Sequence, residues 1–220
     1  MDNIRDTPLW FQGGETLFNY DFHKKYIYVV EGPDCSGKTT VCKEIQRCTG
    51  YPIYHMRYFS DEKKMNAQFE WIENYLKHWL YDDGDGKGII LDRFVLSNQV
   101  YQSVFKDGPI VKNSQTLYDF LVKEQTFANV TFVNCLPSDK ERWLKLFEKM
   151  SKEREEQYTD IDKMRLVYDG YKDRLYDEYS FAFHHNKDIE IRSLFYDLFL
   201  EMDEIDKESD KIEIDMADII

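Results

Sequence analysis

A glycine-rich segment carries the clearest chemical signal in the sequence. Residues Gly32 to Thr39 read Gly-Pro-Asp-Cys-Ser-Gly-Lys-Thr, a complete G-x-x-x-x-G-K-T phosphate loop, and they directly follow a β-branched and aromatic run at 26–30. The two glycines permit backbone angles that a Cβ would forbid, so successive N–H groups can surround a phosphate as donors. The pattern therefore predicts a nucleotide-binding site.

The side chains of this segment strengthen the prediction. Lys38 contributes a positive charge, the Thr39 hydroxyl is suited to binding Mg²⁺, and a helix beginning here would direct the positive end of its dipole at the same phosphates. We therefore expect ATP and Mg²⁺ as ligands. The residues predicted to bind the nucleotide are Gly32, Asp34, Ser36, Gly37, Lys38, Thr39 and Thr40.

A second candidate group follows the β-forming run at 88–91. Asp92 is suited to Mg²⁺ and its bound waters, and Arg93 presents a planar fork that matches the oxygens of a phosphate. Phosphoryl transfer depends on charge neutralisation and alignment, which these two side chains can supply. The alternative is an ordinary ion pair at a strand end.

Strand-forming and helix-forming segments alternate along the chain. Apolar runs predict five strands, at 26–30, 53–54, 89–91, 130–133 and 189–191. Helical periodicity predicts helices at about 38–47, 62–81, 96–105, 114–124, 138–150, 161–179 and 193–203. The alternation predicts a three-layer α/β fold with a doubly wound, parallel, five-stranded sheet, whose ligands bind at the carboxyl ends of the strands.

Composition limits the classes of partner. The formal charge of −13 over 220 residues disfavours stable binding to DNA or RNA, whereas a local cationic cleft can still hold a small nucleotide. We expect no membrane insertion, because no apolar stretch of 18 residues occurs, and no export signal. The four cysteines form no C-x-x-C pair, which is typical of a reducing compartment, so the cytoplasm is the expected location.

The chain is long enough for one domain with a full core. We predict an N-terminal extension at 1–23, a main domain at 24–200 and an acidic tail at 201–220, which holds nine carboxylates and two lysines.

Two motifs together resemble the thymidylate kinase family of P-loop nucleotide kinases. The first is Glu31-Gly32-x-Asp34-x-x-Gly37-Lys38-Thr39-Thr40, and the second is Asp92-Arg93-Phe94-x-x-Ser97-x-x-x-Tyr101-Gln102. Their spacing matches as well, and the resemblance covers roughly residues 25 to 192. It implies a P-loop kinase architecture with a helical lid, ATP and Mg²⁺ as cofactors, a small nucleotide as substrate, and a homodimer.

The resemblance also implies roles for single residues. Lys38, Asp92 and Arg93 would be catalytic, with Mg²⁺ held by Thr39 and, through water, by Asp92, while Arg93 would also hold the acceptor phosphate. The residues expected to contact the acceptor are Asp34, which would receive the 3′-hydroxyl, Asn98, which would bind the pyrimidine, Tyr101, which would crowd the 2′ position, and Arg57, Arg93 and Gln102.

The lid would lie at about 148–160. Its leading catalytic candidate is Arg154, with Lys149 and Lys152 as alternatives. The other interpretation of the segment is a solvated charged helix.

Three reactions remain open. The first is transfer of the γ-phosphate of ATP to a deoxynucleoside monophosphate, most simply dTMP or a related pyrimidine deoxynucleotide. The second is phosphorylation of a deoxynucleoside, and the third acts on a hydroxymethylated base in DNA. A nucleoside hydroxyl needs a carboxylate base, whereas a monophosphate is already an anion near pH 7. After the second strand the chain offers Arg57, which suits a charged acceptor, so the first reaction is favoured, while the net charge argues against the third.

Overall fold

The computed structural model describes residues 25–57, 62–81, 87–105, 128–153, 160–184 and 192–196. The predicted extension at 1–23, the helix predicted at 114–124 and the acidic tail at 201–220 lie outside the described residues.

The strands form a parallel sheet. They are β1 (Lys25–Glu31), β2 (Ile53–His55), β3 (Gly88–Asp92), β4 (Ala128–Cys135) and β5 (Arg192–Tyr196). Their order is β2-β3-β1-β4-β5, and every neighbouring pair is parallel. The prediction of a parallel α/β sheet is therefore confirmed, and the phosphate loop emerges from β1 between two neighbouring strands, where ligands of such sheets bind.

The described helices connect and cover the strands. They are α1 (Lys38–Thr49), α2 (Glu62–Tyr81), α3 (Val95–Phe105), α4 (Lys140–Glu153) and α5 (Ile161–His184). The sequence pattern predicted each of them to within a few residues, except that α5 runs five residues further than 179. Periodic burial explains α2, in which Met65, Phe69, Ile72, Leu76 and Leu80 face the core.

One strand differs from the prediction. The predicted strand at 189–191 lies outside the described residues, and the segment Arg192–Tyr196, which was predicted to enter a helix at 193–203, is β5. That prediction was wrong because Leu194 and Phe195 also match an i, i+3, i+4 helical pattern, whereas pairing with β4 satisfies the backbone and favours aromatic residues.

Apolar side chains cover both faces of the sheet. One cluster joins alternate residues of the strands, such as Ile27 and Leu91, to α2, α3, α4 and α5. The other joins the intervening residues, such as Tyr28 and Ile90, to Val41 and Ile45 of α1. Because successive strand residues point to opposite faces, helices lie on both sides of the sheet and hold the loops at its carboxyl edge.

Candidate active site

The phosphate loop is built from residues with positive φ. The φ angles are 150° at Gly32, 58° at Cys35 and 87° at Gly37. A Cβ on Gly32 would lie 2.1 Å from the carbonyl oxygen of Cys135, so β4 leaves no room for a side chain there. Cys35 adopts its left-handed angle at a cost of about 1–2 kcal/mol, which the surrounding loop must hold.

The N-terminus of α1 opens onto this loop. Gly37 is the N-cap, no side chain in the described part of the chain caps the helix there, and its first turn has no acidic residue. The N–H groups of the first turn therefore remain available for an anion, and the helix dipole adds positive potential.

Lys38 is a buried cation at the start of α1. It is 6% exposed, and its Nζ donates to the carbonyl oxygen of Pro33. Burial lowers the pKa of Lys38 from 10.5 to about 8, and the nearby positive charge of Arg93 adds to the effect. An anionic ligand would relieve both penalties, which is the electrostatic signature of a phosphate site.

Asp92 ends β3 with its two carboxylate oxygens in different surroundings. Its Oδ2 lies 2.7 Å from His55 Nδ1, because parallel pairing puts His55 beside Asp92 at the end of β2. Its Oδ1 is buried and has no hydrogen-bond partner among the described residues. One oxygen is thus held and the other is available to a ligand.

Sequence reasoning missed His55. His55 lies two residues before Arg57, which was predicted from the sequence. The signal that identifies His55 is its register opposite Asp92, which only the pairing of β2 with β3 reveals.

Arg93 and Asp34 form the centre of the site. Arg93 has a positive φ of 69°, and its N–H donates to the carbonyl oxygen of Val30 at 2.9 Å. Its guanidinium pairs with Asp34 Oδ1 and lies over the ring of Tyr101, with Cζ 5.3 Å from the ring centroid.

Two further groups hold Asp34. The Tyr101 hydroxyl donates to Asp34 Oδ2 at 2.7 Å and accepts from the Asp34 N–H at 3.1 Å. Trp143 Nε1 donates to the carbonyl oxygen of Asp34 at 2.8 Å. The phosphate loop, α3 and α4 therefore meet at one residue, Asp34: α3 contacts its carboxylate and its N–H, and α4 contacts its carbonyl oxygen.

Two cavities adjoin at this centre. The first, of about 330 Å³, lies over the phosphate loop. Its lining residues are Asp34, Cys35, Ser36, Gly37, Lys38, Thr39, Thr40, Asp92, Arg93, Leu146 and Met150. The second, of about 190 Å³, is mostly apolar. Its lining residues are Asp34, Met56, Arg57, Met65, Gln68, Phe69, Arg93, Phe94, Ser97, Asn98, Tyr101 and Phe105. Asp34 and Arg93 line both cavities.

The structure thus brings most of the predicted residues together. Among the predicted acceptor contacts, Arg57, Asn98 and Tyr101 line the second cavity, whereas Gln102 is buried on α3 and lines neither cavity. Asn98 is 3% exposed, and neither its Oδ1 nor its Nδ2 has a partner among the described residues. A buried amide with an unused donor and acceptor is suited to the polar edge of a ligand.

Gln68 is a second residue that sequence reasoning missed. Its side-chain amide accepts from the Arg57 N–H at 3.0 Å and donates to the Arg57 carbonyl oxygen at 2.9 Å. The two bonds fix Arg57 at the wall of the second cavity. The pairing joins residues 11 apart in the chain, so no local pattern shows it.

The predicted lid is described only in part. Arg154 lies outside the described residues, and 148–153 is the last part of α4. Lys149 is exposed there, and Lys152 Nζ lies 2.7 Å from Glu148 Oε1 in a surface pair. The catalytic role of Arg154 stays a prediction.

Glu31 is a buried carboxylate directly before Gly32. It is 1% exposed, and burial raises its pKa from 4.5 to about 7, although hydrogen bonds from Ser97 act in the opposite direction. Its carboxylate accepts from the N–H groups of Leu96 at 3.1 Å and of Ser97 at 3.2 Å. The resemblance included Glu31 in a motif but assigned it no role.

No helix among the described residues is long and apolar enough to cross a membrane.

Comparisons with known proteins were made for the whole chain. No protein-family model matches the sequence. The SPbeta prophage-derived protein YorR of Bacillus subtilis strain 168 is 32% identical over 112 residues, which are 51% of this chain and 63% of YorR. The match thus spans less than two thirds of that relative.

Several solved structures resemble the chain. The crystal structure of YorR in complex with phosphorylated GDP matches with a TM-score of 0.49 and 20% identity, over 85% of this chain and 98% of that one. Deoxyadenosine kinase from M. mycoides matches with a TM-score of 0.44 and 16% identity, over 84% and 99% of the two chains.

Polyphosphate kinase 2 from Arthrobacter aurescens TC1 matches with a TM-score of 0.50 and 15% identity, over 79% of this chain and 60% of that one. At this identity the likeness to polyphosphate kinase 2 establishes a shared fold alone.

Proposed function

We propose that the protein transfers the γ-phosphate of ATP to the phosphate of a deoxynucleoside monophosphate, giving ADP and the deoxynucleoside diphosphate, with dTMP or a related pyrimidine deoxynucleotide as acceptor. The observation that carries the proposal is the pair of adjoining cavities that share Arg93 and Asp34. One cavity has the donors of a phosphate site and the other has the apolar lining of a base site. A phosphoryl group passing between two bound molecules would cross the boundary at Arg93.

The first cavity supports a bound ATP. The loop N–H groups, the N-terminus of α1 and Lys38 supply donors and positive charge to the phosphates. The residues present also suit Mg²⁺, since Asp92 Oδ1 is a buried oxygen that lacks a partner in the described residues and Thr39 lines the same cavity. Thr39 and Asp92 would hold the Mg²⁺, which would supply positive charge that neutralises part of the charge of the phosphates.

The second cavity supports an acceptor with an aromatic base. Phe69 and Phe94 provide apolar surface, and the side-chain amide of Asn98, which has no partner in the described part of the chain, offers N–H donors and an acceptor to a base edge. Arg93 and Arg57 supply positive charge for the acceptor phosphate.

The charges of this cavity favour a monophosphate over a nucleoside. A nucleoside acceptor would need a carboxylate to take the proton of its 5′-hydroxyl. Of the described residues that line this cavity, only Asp34 is acidic, and it is paired with Arg93 and hydrogen bonded to Tyr101. A phosphate acceptor needs no such base, since its second pKa is about 6.

The test is an acceptor comparison. Purified protein with Mg²⁺ and ATP would be given dTMP, dUMP, dCMP, dGMP or thymidine, and the phosphorylated products would be separated by ion-exchange chromatography. We expect a deoxynucleoside diphosphate from at least one pyrimidine monophosphate. Turnover of thymidine alone would replace the proposal by a deoxynucleoside kinase. The resemblance further leads us to expect a homodimer, and the composition leads us to expect a cytoplasmic location, which sedimentation and localisation experiments would check.

A further inference from the structure

A buried chain of hydrogen bonds joins three elements beneath the two cavities. The Tyr171 hydroxyl of α5 donates to Ser97 Oγ at 2.7 Å, and the Ser97 hydroxyl donates in turn to Glu31 Oε2. Tyr171 is fully buried, and neither it nor Glu31 lines either cavity. We call Glu31, Ser97 and Tyr171 the buried triad.

The triad holds the start of α3. The first turn of a helix has N–H groups without helical partners, and here those of Leu96 and Ser97 donate to the Glu31 carboxylate. The carboxylate also lies at the positive end of the helix dipole. Glu31 therefore caps α3 from the end of β1, 65 residues before Leu96 in the chain.

The position of α3 matters because its residues form one wall of the second cavity, in which the proposed acceptor would bind. We call this space the acceptor cavity. Ser97, Asn98 and Tyr101 line that cavity, while the residue after Glu31 is Gly32 of the phosphate loop. Through Glu31, the backbone that surrounds the donor phosphates is thus hydrogen bonded to the helix that faces the acceptor.

We propose that the buried triad is a positioning network that sets the distance between the acceptor helix α3 and the phosphate loop; this inference rests on the proposed function. Glu31 and Tyr171 line neither cavity, so they would act on the acceptor through Ser97 and the rest of α3. Losing one of them is expected to displace the first turn of α3 and to weaken acceptor binding more than ATP binding.

Tyr171→Phe is the sharpest test, because it removes one hydroxyl outside both cavities and keeps the ring that packs edge-on against Tyr101, with centroids 6.4 Å apart. The chain offers a matched control in Tyr168→Phe. Tyr168 is buried on the same helix, and its hydroxyl donates to the carbonyl oxygen of Pro137 at 2.6 Å, away from the triad.

Steady-state kinetics would be measured for both variants with the acceptor that the wild type uses. For Tyr171→Phe we expect the KM for the acceptor to rise about five- to tenfold, with kcat and the KM for ATP within about twofold of wild type. For Tyr168→Phe we expect no change in either KM. An unchanged acceptor KM in Tyr171→Phe, or equal changes in the two variants, would overturn the proposal.

Amide hydrogen exchange provides a readout that needs no turnover. In Tyr171→Phe the amides of Leu96 and Ser97 should exchange severalfold faster than in wild type, and in Tyr168→Phe they should not. If the wild type phosphorylates no nucleotide but this difference is seen, the proposed function fails and the structural role of the triad stands. If turnover is seen but exchange and KM are unaffected, the triad proposal alone fails.

Discussion

Lys38 is buried, its pKa is lowered, and its Nζ donates to a backbone carbonyl oxygen, that of Pro33. If its charge stabilises the transferring phosphoryl group, Lys38→Ala should reduce the transfer rate at least about 100-fold, which is the range measured for removing one electrostatic contact at a reacting centre. The fold should persist, because a buried cation of lowered pKa is itself a cost to stability.

The exposed Lys43 of the same helix is the matched control. Lys43→Ala should keep its rate within about twofold of wild type in a coupled ADP-release assay, since the charge of an exposed side chain is weakened by solvent and salt. Near-normal turnover by Lys38→Ala would show that the assignment of the site is wrong.

His55 fixes one oxygen of Asp92 and so decides which oxygen is free. Removing such an outer partner of a metal-binding carboxylate commonly weakens metal binding tenfold or more. His55→Ala should therefore need about tenfold more Mg²⁺ for half-maximal rate, and the Mg²⁺-dependent part of ATP affinity, measured by calorimetry, should fall in parallel.

His78→Ala provides the comparison, since His78 is exposed in the last turn of α2, which precedes the start of β3, whereas Asp92 is the last residue of that strand. An equal Mg²⁺ requirement in the two histidine variants would contradict this role for His55.

At the residue level, the sequence predicted the site residues that lie together in short motifs. Lys38, Thr39 and Arg93 fall in short motifs, so their types alone indicated phosphate chemistry. His55 and Gln68 escaped because their roles come from strand register and from a contact between a loop and a helix. Such partners depend on the folded geometry and leave no local pattern.

At the level of the secondary-structure elements, Gly32 follows the last residue of β1 and lies directly against the backbone of β4. Gly32→Ala would drive a Cβ against the carbonyl oxygen of Cys135, a backbone atom of the paired strand that cannot turn aside. We expect the free energy of unfolding to fall by about 3 kcal/mol, from steric overlap together with a strained φ.

Gly50→Ala separates these two causes. Gly50 also has a positive φ, of 73°, but a Cβ there meets no atom within 4 Å. That variant should lose only about 1 kcal/mol, the cost of the angle alone. Urea denaturation of both variants measures the difference, and equal losses would mean that contact with β4 is unimportant.

Glu31 makes stability depend on pH through the burial of its carboxyl group. Burial raises the pKa of Glu31 from 4.5 to about 7, so between these values the folded protein keeps a proton that the unfolded chain releases. The contribution of Glu31 to stability is therefore fully present below pH 4.5 and is lost as the pH rises through 7. The loss amounts to about 3 kcal/mol at most.

Comparison with Glu31→Gln isolates this group, because other titrating residues cancel in the difference. The free energy of unfolding of wild type, relative to that of the variant, should fall between pH 5 and pH 8 in urea denaturation. A constant or rising difference would rule out a raised pKa at Glu31.

Secondary structure was predictable where burial repeats along the chain. The continuous apolar runs of β1, β3 and β4 indicated central strands, and the spacing of buried residues indicated α2. The segment Arg192–Tyr196 was not predictable in the same way, because its short apolar run agrees with both a helix and a strand. Pairing with β4 decides for the strand.

For the molecule as a whole, the charge of −13 bears on the remaining candidate reaction, phosphorylation of a base within DNA. A polyanion should be repelled at long range, so we expect no retention on heparin or duplex DNA columns at 50 mM salt, with loaded nucleotide or without it. Clear retention that is released by higher salt would revive that reaction.

The common wall of the two cavities also has a consequence for inhibition. Since Arg93 and Asp34 border both spaces, a single compound in which an adenosine is tethered to a pyrimidine nucleoside by an oligophosphate bridge would occupy both at once. Tethering makes the second docking step intramolecular, so such a compound should bind far more tightly than either half. The number of bridging phosphates that gives the highest affinity would then measure the distance between the two binding sites.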